Sequence, residues 1–113
     1  MADTFNKGES VDITMTLLDG ATVLDTGIFV TIEVEILDYM LRPLGTYTLA
    51  DAEISRLIPT TDGEIFFVVP EAVSATGRIG KYFFKLTTTE ADADYPDSVR
   101  TRMASGLCFN LIY

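Results

Sequence analysis

Histidine and tryptophan are both missing from these 113 residues, and cysteine occurs once, at Cys108. Without histidine the chain lacks the commonest general base and the commonest metal ligand. A single cysteine excludes an internal disulfide and fits synthesis in a reducing compartment. Cys108 has no histidine to activate it and stands in an apolar run, so it reads as a small packed hydrophobe. No run of about 18 apolar residues is present, and no helix is expected to span a membrane. The opening "MADTFNKGES" has neither the basic start nor the apolar stretch of a secretory leader. The expectation is therefore assembly in the cytoplasm. Basic residues are scarce too, 8 against 17 acidic ones, for a net charge of −9. They are scattered, so neither nucleic acid nor an anionic membrane is an expected direct partner.

Strand signals dominate what remains. "VDITMTL" alternates, with Val11, Ile13, Met15 and Leu17 on one face. "IFVTIEVEILD" alternates again and predicts Val30, Ile32, Val34 and Ile36 inside, with β-branched residues favouring strand over helix. Pro43 and Gly45 break "YMLRPLG", "TYTL" reads as a short strand, and Glu53–Ile58 is assigned as another. "EIFFVV" is a strand closed by Pro70, and "PEAVSA" reads as one helical turn. "KYFFKLTT" places Tyr82, Phe84 and Leu86 inward, "EADADYPDS" is an acidic loop, and the last strand is expected to bend near Gly106. Turn signals fall roughly every 8–12 residues, and helical periodicity is almost absent. The reading is all-β: an immunoglobulin-like β-sandwich of about seven to eight antiparallel strands, as one domain over residues 1–113. Its expected core holds Val11, Ile13, Met15, Val30, Ile32, Val34, Ile65, Phe67, Tyr82, Phe84 and Phe109.

The order of five pieces carries a resemblance. "KGESVDITMTLLDG", "DTGIFVTIEVEI", "TTDGEIFFVVPEAV", "GRIGKYFFKL" and "SGLCFNLIY" follow one another from about Lys7 to Ile112. In this order they resemble the immunoglobulin-like module of tailed-bacteriophage structural proteins, as in the N-terminal domain of baseplate upper proteins. The insertion "YMLRPLGTYTLADAEISRL" is longer than that pattern, and no trimerising helix follows the last strand. The resemblance implies a non-enzymatic virion structural protein, assembled in the host cytoplasm. A capsid-decorating or head-to-tail accessory subunit fits the bare module best, and a baseplate or tail-fibre module is the alternative. Its partners would be other virion proteins, within an assembly that repeats the subunit. A cell-surface adhesion or carbohydrate-binding module is the remaining reading, disfavoured by the missing tryptophan, leader and paired cysteines.

Chemistry-bearing constellations are few. No serine stands in a nucleophile-elbow context, and "TGRIGK" lacks the spacing and hydroxyl of a phosphate-binding loop. Glu90, Asp92, Asp94 and Asp97 share one loop, but the glycine and terminal glutamate of a calcium loop are missing. The stretch Asp51–Glu53 is weaker still. No catalytic residue, cofactor or metal is therefore expected. Alternation does place apolar residues outward: Phe66 and Val68 in one strand, Phe83 between Lys81 and Lys85, and Leu18, Cys108 and Ile112 elsewhere. Several such residues on one small domain suggest surface covered by a partner, and Phe66, Val68, Phe83 and Ile112 are the expected contacts. The alternative is a bulge, or the loop "YMLRPLG" folding over them.

Overall fold

A computed structural model describes residues 3–113. Its strands are β1 (Asp3–Asn6), β2 (Val11–Thr16), β3 (Leu18–Asp19), β4 (Thr22–Val23), β5 (Phe29–Asp38), β6 (Pro43–Thr48), β7 (Ser55–Arg56), β8 (Glu64–Val69), β9 (Gly80–Ala91) and β10 (Val99–Ile112). The only α-helical segment among the described residues is α1 (Glu71–Ser74), one turn entered from Pro70. The protein is all-β. A five-stranded sheet runs in the order β1-β10-β9-β5-β6, a three-stranded sheet in the order β2-β8-β7, and β3 and β4 form a hairpin.

Period-two alternation decides which faces meet. In the three-stranded sheet Val11, Ile13 and Met15 stand opposite Val69, Phe67 and Ile65, all on the inner face. From the larger sheet come Ile32, Val34 and Ile36 of β5, Tyr47 of β6, Tyr82 of β9, and Phe109 and Leu111 of β10. These side chains form one buried cluster. Aromatic stacking fixes parts of it: Tyr47 lies on Phe67 with centroids 5.4 Å apart, joining the two sheets, and Tyr82 lies on Phe109 at 4.9 Å. The Tyr82 hydroxyl donates to the Arg78 carbonyl at 2.8 Å, so the ring is buried without stranding its polar end. Arg56 of β7 donates from Nε and Nη2 to the carbonyls of Thr26 and Phe29, tying the smaller sheet to the start of β5.

Several expectations are corrected. Among the described residues the strand segments number ten rather than seven or eight, and they are not all antiparallel, since β1 runs parallel to β10. Val30 is not in the core. A register shift between Phe29 and Thr31 against β9 turns Val30 outward, 67% exposed, and puts Phe29 inside at 2%. Met15 and Phe84 are only partly buried, packed against the cluster rather than enclosed by it. The strand assigned to Glu53–Ile58 shrinks to Ser55–Arg56, because a tight turn occupies the preceding residues. There the Thr48 hydroxyl donates to Asp51 Oδ2 at 3.0 Å, and Glu53 N returns to the Thr48 carbonyl at 3.1 Å. Cys108 does not face outward. It sits where β10 shifts register between Leu107 and Phe109, and it packs against the core.

Candidate functional site

The five-stranded sheet carries an apolar row across its outer face. Leu37 of β5 stands opposite Phe83 of β9, which stands opposite Leu107 of β10. The next outer row reads Glu35, Lys85, Ser105, and the one beyond it Glu33, Thr87, Met103. Charge flanks the apolar row at Glu35 and Lys85 on one side and at Lys81 on the other. Leu107 is 44% exposed and Met103 63%.

A turn after β5 extends this row. Asp38 is buried at the end of the strand, and its Oδ1 accepts the backbone N–H groups of Met40 and Arg42, both at 2.9 Å. Asp38 N also donates to the Arg42 carbonyl at 2.9 Å, closing the loop. These bonds hold Leu41 at φ 62°, a left-handed conformation uncommon for a residue with a branched side chain. Leu41 is consequently presented outward, 70% exposed, beside Tyr39 and Met40, which are also exposed. The Arg42 N–H bond holds the Asp38 carboxyl below the usual carboxylate range; burial opposes this, and the Met40 N–H and the Arg42 and Arg78 charges assist it. Leu41, Leu37, Phe83 and Met103, with Lys85 and Ser105, line a shallow depression of about 380 Å³.

A second concavity opens between the sheets, where the three-stranded sheet ends before it covers β10. It measures about 630 Å³ and is lined by Met15, Leu17, Leu24, Phe84 and Leu86, with Arg102 at its rim. Arg102 Nε donates to Glu90 Oε1 at 2.6 Å and Nη1 to Asp19 Oδ2 at 2.8 Å, linking the β3–β4 hairpin to β9 and β10. Both carboxylates favour the charged guanidinium, Glu90 more than Asp19. The lining offers apolar carbon and an already neutralised ion cluster.

The expected partner residues do not come together. Phe83 lies in the apolar row described above. Phe66 and Val68 lie on the outer face of the other sheet, both half-buried, with Phe66 between Thr14 and Ser55 and Val68 opposite Asp12. Ile112 is exposed at the far end of β10 opposite Asn6, separated from Phe83 by Asn110 and Lys81. Leu18 is exposed on the hairpin. The loop "YMLRPLG" does approach Phe83 through Leu41, but it adds apolar surface instead of burying it. In the acidic loop Glu90 is turned to Arg102, and Asp92 Oδ1 accepts the Asp94 N–H at 3.0 Å. No three acidic or cysteine side chains converge on a metal position among the described residues. Burial pushes the Cys108 thiol up to about 12, which leaves it un-ionised near neutrality.

Leu37, Leu41, Met103 and Leu107 were missed from the sequence. Alternation from Ile36 assigns Leu37 outward, so that signal was available. Leu107 was hidden by the register shift at Cys108, and Leu41 by a turn that no local motif announces. No known protein family, curated protein or solved structure matches this chain.

Proposed function

We propose that this protein is a non-catalytic structural subunit of a bacteriophage virion, decorating the capsid or acting as a head-to-tail accessory. On this reading the two sheets form an immunoglobulin-like sandwich, and the outer face of the five-stranded sheet seats on the particle lattice. One observation carries it: the continuous row Leu37–Phe83–Leu107, extended by a Leu41 that the Asp38 turn holds outward. Contiguous apolar surface is costly to leave in water, and a conformation uncommon for leucine that displays more of it suits contact with a partner. Burying Phe83 alone contributes about 1.5–3 kcal/mol by area bookkeeping. The order of the strand motifs, which resembles the phage module, supports the choice of partner. A net charge of −9 keeps free subunits apart until they meet the lattice.

The test is co-sedimentation of purified protein with phage particles that lack it, and with their separated capsid and tail fractions. Saturable binding to one fraction is expected. Failure to bind any fraction would remove the virion reading, and retention on a glycan array instead would move the protein to the carbohydrate-binding class.

A further inference from the structure

The long strand β10 has one neighbour along most of its length. It pairs with β9 from Val99 to Leu111, but on its other side β1 covers only Phe109–Ile112. The Val99 N–H donates to the Pro96 carbonyl, and no described backbone group outside β9 bonds Arg100–Gly106. Sheet edges of this kind are normally guarded by proline, lysine, bulges or shortness. The opposite edge of the same sheet is so guarded, since β6 begins at Pro43, and in the three-stranded sheet the edge strand β7 has only two residues. The stretch "VRTRMASGL" has neither proline nor lysine, and its register shift comes only after Leu107.

We infer that this edge pairs with the same edge of a second copy, antiparallel about a two-fold axis through Met103, to give one continuous sheet across the dimer. A two-fold axis normal to the sheet keeps both inner faces on one side, so it must pass through a residue position rather than between two. Centring it on Met103 pairs Val99 with Leu107, Arg100 with Gly106, Thr101 with Ser105 and Arg102 with Ala104 of the other copy. Each arginine then meets a small residue, each hydroxyl a hydroxyl, and each outer aliphatic another. Centring on Arg102 would set that arginine against itself. Centring on Ala104 would run Arg100 into Cys108 at the register shift. The Met103 register is also electrostatically open, because Arg102 is already neutralised by Glu90 and Asp19 and Arg100 stacks on Tyr95 at 5.3 Å. The inference does not depend on the virion reading. It does enlarge the proposed contact surface, because it brings two Leu37–Phe83–Leu107 rows onto one face of one sheet.

Sedimentation velocity over a concentration series tests association, and cysteine substitution reads the register. Facing Cα atoms in an antiparallel pair lie at a separation that a disulfide spans. Met103→Cys should therefore cross-link to itself when oxidised glutathione accepts the two electrons and protons of the thiols. Arg102→Cys and Ala104→Cys should cross-link far less, and Cys108, half-buried and packed against the core, should not contribute. Met103→Glu sets like charges face to face on the axis and should weaken association by roughly tenfold or more, with far-ultraviolet circular dichroism unchanged. A protein that stays monomeric at all concentrations overturns the inference, as does cross-linking that is equal at the three positions. Either result leaves binding to phage particles to be judged separately.

Discussion

Three residues show how single positions set the behaviour of this protein. Asp38 holds the turn that displays Leu41, and its carboxyl titrates below the ordinary range because it accepts the Arg42 N–H, with help from the Met40 N–H and nearby arginines. A group whose folded pKa is depressed adds stability above the unfolded value and loses it as pH falls through the folded one. Melting temperature should thus fall as pH drops through and below the ordinary carboxylate range, and Asp38→Asn should flatten part of that fall. An identical acid profile in the variant would count against the turn. Cys108, pushed up to about 12 by burial, should react with a disulfide reagent at neutral pH much more slowly in the folded protein than in urea. Gly63 sits at φ 70°, where an added Cβ would lie 2.5 Å from Val23 Cγ1 and 2.7 Å from the Leu24 carbonyl. Gly63→Ala should cost more than about 1 kcal/mol in urea denaturation, from strain and crowding together.

Among the elements, β5 and β10 are where the register shifts matter. If Phe29 rather than Val30 enters the core, Phe29→Ala should cost about 3–5 kcal/mol, and Val30→Lys should stay within about 0.5 kcal/mol, both by chemical denaturation. The reverse order would restore the simple alternation that the sequence suggests. Most strands were legible in that alternation because β2, β8 and the middle of β5 each bury one face against one core. The helical turn after Pro70 was legible from the proline, which closes β8 and suits the start of a helix. Where the signal failed, the cause was a tertiary choice between near-equal neighbours. In "IFVT" two adjacent apolar residues compete for one inward position, and the β9 pairing selects Phe29. In "GLCF" the shift at Cys108 sends Leu107 outward and draws the thiol in. The parallel pairing of β1 with β10 has no local signature, because it joins segments about a hundred residues apart. The candidate site shared this fate. Phe83 was visible by counting, whereas the residues that make it part of a surface lie on two other strands and a turn.

At the scale of the whole molecule, one outer face differs from the other. Phe66, with Thr14 and Ser55 beside it, is an isolated aromatic on a polar face; Phe83, between Leu37 and Leu107, is the centre of an apolar row. The proposal that this row seats the protein on a phage particle therefore predicts unequal effects from equal substitutions. The most direct measurement is the occupancy of particles lacking the subunit, using purified Phe83→Glu and Phe66→Glu proteins whose folding is verified by their melting curves. Phe83→Glu should lose most of its occupancy, since burial worth about 1.5–3 kcal/mol is replaced by a desolvated charge, while Phe66→Glu should bind as the unmodified protein does. Full occupancy by Phe83→Glu, or a loss confined to Phe66→Glu, would contradict the account.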